Sequence, residues 1–282
     1  MSTSTADDTA ARRSWAAAVA RGAGRALASA GLTVAIVLAA WVLFLQLLQV
    51  SPYVGKGPLE VWGYLFTDAD AVTDRAEVLD LLLVTLRDAA VGFVAGLTAA
   101  VVLACTIVLS RAAESTIMPV AMLLRSVPLI AMTPVIAMVF GRGQVTVAVI
   151  AGIVVLFPAL VTIVFGLRST SQQMHDVVAV YGGSAWDALR TVDLPSSMPS
   201  FFAAVRISVP GAITGALIAE WLATGDGIGY GVVSALGRAQ NTLVWALVVV
   251  ITLVSLVLYT IAQVVEASVL ARYGTDPGRA GS

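Results

Sequence analysis

The chain has 282 residues, of which 59% are hydrophobic and only 12% charged; a soluble domain usually carries about 25% charged residues, so a water-solvated globule is excluded. The formal net charge is −1 and the basic residues are scattered rather than gathered on one stripe, which gives no footing for nucleic acid. Cys105 and His175 are the only residues of their types, so neither an internal disulfide nor a multi-thiolate or multi-imidazole metal site can be built within the chain.

These limits leave an all-α polytopic membrane protein with about six transmembrane helices, each needing about 20 mostly apolar residues. Residues 1–30 read as a cytoplasmic N-terminal segment in which Arg12, Arg13, Arg21 and Arg25 precede the first apolar run. That run, Gly31 to Val50, exceeds the apolar region of a signal peptide, and no small-x-small cleavage site follows it, so it is expected to stay as an anchor. It opens a single transmembrane domain over 31–273. Residues 51–80, with Glu60, Asp68, Asp70, Asp74, Glu77 and Asp80 against Lys56 and Arg75, are too charged to cross lipid and are expected to form an external loop.

Five further spans are expected near Leu81 to Leu109, Ser115 to Phe140, Val145 to Leu167, Pro199 to Trp221 and Leu243 to Leu270, followed by a C-terminal tail over 274–282. Six crossings put both termini in the cytoplasm. The inner segments then hold Arg12, Arg13, Arg21, Arg25, Arg111, Arg168, Arg190, Arg272 and Arg279, against Lys56, Arg75, Arg142 and Arg238 outside, as the positive-inside rule requires. The third span contains Pro119, Pro128 and Pro134, and each removes a backbone hydrogen bond. Kinks follow, either as packing features or as part of a polar path through the bundle interior. The run Gly225, Gly227, Gly229 and Gly231 reads as a tight re-entrant turn or an outer loop.

The segment His175 to Pro195, HDVVAVYGGSAWDALRTVDLP, lies in a cytoplasmic loop over 168–198. Its apolar residues, split by Gly182 and Gly183 and ended by Pro195, predict two short amphipathic helices meeting at a glycine bend. Such a knob offers a partner's groove an apolar surface; a loop resting on lipid headgroups is the rival reading, disfavoured because only Arg168 and Arg190 could hold anionic lipid.

This loop resembles the EAA loop of the permease subunits of bacterial ATP-driven (ABC) importers, binding-protein-dependent transport systems of type I. Asp176 takes the Glu position, Val177 and Val178 replace the two alanines, Gly182 matches the glycine, and Leu194 and Pro195 match the closing pair. TLRDAAVGFVAG from Thr85, LLRSVPLIAMTPV from Leu123 and AEWLATGDGIGYGV from Ala219 are similar to the nitrate/sulfonate/taurine branch. The resemblance implies a permease that forms the solute translocation path and couples it to a separate ATPase. Asp176, Tyr181, Gly182, Gly183, Ser184, Ala185, Trp186, Leu194 and Pro195 would then form the coupling helix region. It further implies a second permease subunit, the same chain or a homologous one, an extracytoplasmic solute-binding protein, and location in the bacterial inner membrane.

No G-x-x-x-x-G-K-[ST] sequence is present, so this chain is not expected to be an enzyme and carries no cofactor of its own; ATP and Mg would sit on the partner ATPase. Ionisable residues in or near spans are costly unless paired or lining a polar path. Arg125 and Pro128, with Arg87 and Glu220, are the candidates for the path, while anchoring at the membrane interface is the plainer reading of Glu220 beside Trp221. An ion-gradient-driven secondary transporter or channel is the alternative, but paired broken helices in two repeats would then be expected.

Overall fold

A computed structural model describes residues 31–273; the expected cytoplasmic segment 1–30, the tail 274–282 and the arginines counted within them lie outside the described residues. The chain divides into two compact units, at residues 63 and 64. In the first, α1 (Gly31–Leu47) is a predominantly apolar helix, and the short α2 (Pro58–Trp62) starts with Pro58 at its first position. There the Gly57 N–H donates to the Glu60 carboxylate, satisfying a donor that the helix start would otherwise orphan.

The second unit is helical among its described residues: α3 (Ala71–Leu109), α4 (Arg111–Ser126), α5 (Leu129–Phe140), α6 (Gln144–Leu167), α7 (Gln172–Val180), α8 (Ala185–Ala188), α9 (Leu194–Ser196), α10 (Met198–Ala219), α11 (Gly227–Gly237) and α12 (Asn241–Tyr273). Among the described residues four helices are individually long and apolar enough to cross a membrane: α3, α6, α10 with the π turn that continues it to Thr224, and α12. The shorter apolar helices are α1, α5 and α11.

Three expectations need correction. Helix α3 begins at Ala71, not Leu81, so the second half of the loop expected over 51–80 is helical. Charge bars that stretch from lipid but not from a helix, and its Ala71 and Val78 are buried. The 39 residues of α3 span about 58 Å at 1.5 Å per residue, well beyond a hydrocarbon core of about 30 Å. Secondly, the span expected from Ser115 to Phe140 is two helices. Val127 sits in extended conformation (φ −75°, ψ 127°) ahead of Pro128, because a proline ring drives the preceding residue out of the helical region. Pro119 and Pro134, by contrast, lie within α4 and α5. Thirdly, the glycine run is a turn followed by a helix: Gly225 (φ 79°) and Gly227 (φ 75°) have positive φ, Asp226 accepts a hydrogen bond from the Gly227 N–H, and α11 begins there and takes in Gly229 and Gly231.

Helix α6 lies between α3 and α10. Gly92, Gly96, Ala100 and Ala104 recur every fourth residue of α3 and are all buried, forming one stripe of small residues. A Cβ at Gly96 would stand 2.6 Å from the Gly152 carbonyl oxygen and 2.7 Å from Val155 Cβ, and one at Gly92 would collide with Ala151. On the opposite side a Cβ at Gly215 of α10 would meet Ala151 Cα at 2.5 Å. Between membrane helices, where lipid removes the hydrophobic drive, such backbone approach and its van der Waals contact hold the bundle.

Gly92→Ala should therefore destabilise by about 1–3 kcal/mol, the usual range for overpacking. Gly152→Ala, whose Cβ would have its nearest neighbour at an ordinary 3.5 Å, should be neutral or gain up to about 1 kcal/mol of helix propensity. Thermal unfolding of the two solubilised variants beside the parent separates them; equal midpoints would refute the close packing of α3 on α6.

Candidate functional site

The loop between α6 and α10 is built as a knob whose parts are fixed to one another. Helix α7 ends in a Schellman motif: the Gly183 N–H donates to the Val178 carbonyl at 2.9 Å and the Gly182 N–H to Ala179 at 2.9 Å. The motif places its left-handed residue at Gly182, φ 78°, where a side chain is strained. Gly183 is also required, since a Cβ there would come within 2.5 Å of Val178 Cγ1. Ser184 then caps α8, its hydroxyl accepting from the Asp187 N–H, while Asp187 accepts from the Ser184 N–H at 2.8 Å and hydroxyl at 2.6 Å. These bonds, the hydroxyl first, hold the Asp187 carboxyl below its ordinary pKa. The expected second helix runs without a break from Ala185 to Ser196: α8 passes through a π turn at Leu189–Asp193 into α9.

The base of the knob is anchored. Leu189, Val192 and Asp193 are buried, and the buried Asp193 carboxylate pairs with His175 Nε2 at 2.9 Å, tying α7 to the chain that enters α10. The Arg168 guanidinium, just past α6, meets both Glu114 oxygens, at 2.8 and 2.7 Å. That fork holds the Glu114 carboxyl below its usual pKa and lifts that of Arg168. It also fixes the first turn of α4 to the end of α6.

The tip is the reverse: apolar and uncovered. Val180 is 84% exposed, Tyr181 88% and Trp186 58%. Asp176, Gly182, Ser184, Ala185, Leu194 and Pro195 are exposed and Gly183 is partly buried, so the residues picked from the loop sequence share one element. The His175–Asp193 pair was not foreseen. A lone histidine 18 positions from an aspartate carries no local signal, although an aspartate in the apolar run before Leu194 was a cue.

The four path candidates do not form one cluster. Arg125 is exposed, its guanidinium 4.8 Å from the centre of the Phe157 ring on α6, and Pro128 is exposed at the α4–α5 break. Arg87 is exposed on α3, while its neighbour Asp88 is 2% exposed and accepts from Gln144 Nε2 at 2.8 Å. Glu220 is fully buried, accepting from Thr85 Oγ1 at 3.0 Å and the Gly229 N–H at 2.8 Å. It is enclosed rather than set at an exposed interface, and it clamps the start of α11 to α10 and α3. The Ile228 N–H completes the clamp by donating to Thr85 Oγ1 at 2.8 Å. A further ion pair, Arg206 to Glu266 at 2.9 Å, joins α10 to α12 with Tyr259 alongside. Among the described residues no group of three or more His, Cys, Asp or Glu side chains could hold a metal ion.

The sequence model of the family described as binding-protein-dependent transport system inner membrane component matches residues 92–271, from within α3 to α12 and across the whole loop. The chain is 28% identical over 228 residues to the probable ABC transporter permease protein of Haemophilus influenzae, covering 81% of this chain and 91% of that one. It is 29% identical over 153 residues to the riboflavin transport system permease protein of Chloroflexus aurantiacus, covering 54% and 57%. A nitrate import permease protein of Synechococcus elongatus is 26% identical over 149 residues, 53% of each chain. The chain belongs to the binding-protein-dependent transport system inner membrane component family, as a multi-pass permease subunit of an ATP-driven importer.

Proposed function

We propose that the knob formed by α7, α8 and the following turn docks a separate ATPase subunit and passes its closure to the membrane helices. The single observation that carries this reading is the contrast within the loop: an apolar tip left in the open above a base held by buried residues, the His175–Asp193 contact and the Arg168–Glu114 ion pair. Tyr181 and Trp186 are of the kind that dominate interfaces once a groove excludes water from them. Because the Schellman motif and the serine cap fix α7 to α8, and His175–Asp193 fixes α7 to the base, a push at the tip is not absorbed by bending. It reaches the end of α6 and the start of α10, which the base joins. ATP and Mg belong to the partner, and the loop takes part in no chemistry.

The same reading puts the loop and both chain termini in the cytoplasm and residues 51–70 outside, supported by the distribution of arginine and lysine. It pairs this permease with a second copy or a homologous chain, and it delivers solute from an extracytoplasmic binding protein. The cargo is a small polar solute, in the class of the nitrate, sulfonates or taurine moved by the branch the sequence resembles, with the pyrimidine-like vitamin precursors moved by other relatives as the alternative. Arg125 supports the anionic choice: it is exposed beside the proline break, with one face of its guanidinium over Phe157, where cation–π contact leaves its N–H groups free to meet an anion.

Two measurements test these assignments. Trp186→Ala should leave the permease inserted but weaken its hold on the ATPase subunit by about 2 kcal/mol, roughly thirtyfold in affinity; affinity equal to the parent's would remove the knob from the interface. Arg125→Gln should lower uptake of an anionic cargo, identified by ligand screening of the cognate binding protein, more than it lowers stimulated ATP hydrolysis in the same proteoliposomes. Equal losses would make Arg125 an anchor for α4 instead.

A further inference from the structure

Behind the base of the knob is a cavity of about 460 Å³ lined by α3, α6, the π turn and the start of α10. Val101, Cys105, Ile163, Met198 and Phe201 make its walls apolar, and Arg190 is its one charged lining residue. Ser197 also lines it, but its hydroxyl is already used, donating to the Leu194 carbonyl at 3.0 Å. Water needs two to four polar partners to reside in a cavity, and these walls do not supply them. The walls belong largely to helices long and apolar enough to span a bilayer, so a hydrocarbon chain is the natural filling.

Arg190 is exposed, and among the described residues no carboxylate lies within ion-pair distance of it. Asp187 feels its charge but is already engaged by Ser184. A long cationic side chain over an apolar groove at the end of membrane helices matches a lipid, whose chain lies in the groove while its phosphate meets the guanidinium. We propose that this cavity is a binding site for an anionic phospholipid, with an acyl chain among Val101, Cys105 and Phe201 and its headgroup on Arg190. A zwitterionic lipid carries its own cation beside the phosphate, so Arg190 favours the anionic class. The bound lipid would brace the π turn against α3 and α6. The site requires only that these helices span a bilayer and does not depend on the loop receiving an ATPase.

Cys105 is the chain's only cysteine and is partly exposed in the cavity wall, so its thiol reports occupancy without mutation. The full chain, in nanodiscs of phosphatidylcholine alone or of equal parts phosphatidylcholine and phosphatidylglycerol, is treated with uncharged N-ethylmaleimide, and modification is followed on the Cys105 peptide by mass spectrometry. Phosphatidylglycerol should slow the reaction about fivefold, as for a site filled about four-fifths of the time. In Arg190→Gln the rate should be the same in both lipids, and inorganic phosphate added to phosphatidylcholine discs should change nothing. A slowing that persists in Arg190→Gln would be a general surface-charge effect and would overturn the proposal. So would protection by free phosphate, or a thiol equally protected in both lipids, which would point to a protein segment in the cavity.

Discussion

The contact on which the rest of the bundle depends is the approach of α6, nearly backbone to backbone, to α3 on one side and to α10 on the other. Lipid surrounds these helices as readily as they surround each other, so apolar surface alone does not choose their partners. Shape does. Gly92 and Gly96 open a flat strip that admits Ala151, Gly152 and Val155, and Gly215 admits Ala151 from the other side. At the loop end, Gly166 takes Ser200 in the same manner, with Ser200 Oγ 2.6 Å from where a Cβ would stand. The ends of α6 and α10 are thereby held together beneath the knob.

This arrangement explains why the loop is elaborate rather than a plain linker. A chain leaving one packed helix and entering its neighbour could cross in a few residues. Here it rises through α7, turns back at Gly182 and Gly183, and descends through buried Leu189 and Val192, so that its tip is apolar and its base belongs to the core. Polar contacts are spent at the base, where His175 meets Asp193 and Arg168 meets Glu114. At the far end of the same helices Glu220 and Thr85 secure α11, and Gln144 satisfies Asp88. Buried ionisable groups are thus engaged in joining helices.

The helical membrane class, the glycine bend and the family were legible in the sequence because each rests on local chemistry: apolar run length, the spacing between Gly182 and Pro195, and motifs read in order. The α4–α5 break was half legible. Three prolines announced a disturbance, yet only the position of Val127 tells which of them ends a helix and which are carried inside one. Glu220 was misplaced because its neighbour Trp221 suggested an interface, while its partners Thr85 and Gly229 come from elsewhere in the chain. The every-fourth-residue spacing from Gly92 to Ala104 was in plain view, although periodicity alone does not say which helix lies against it. His175 and Asp193, like Arg206 and Glu266, are joined by the fold and have no spacing that would pair them beforehand.

The central claim is that the loop is a preformed knob received by the ATPase subunit. Amide hydrogen exchange of the intact permease, alone and in complex with that subunit, tests it most directly, because backbone protection maps the covered surface residue by residue. The account predicts exchange slowed about tenfold or more across α7, the glycine bend and α8, with α11 at the opposite end unchanged. Unaltered exchange in the loop, or protection of α11 equal to that of the loop, would contradict it.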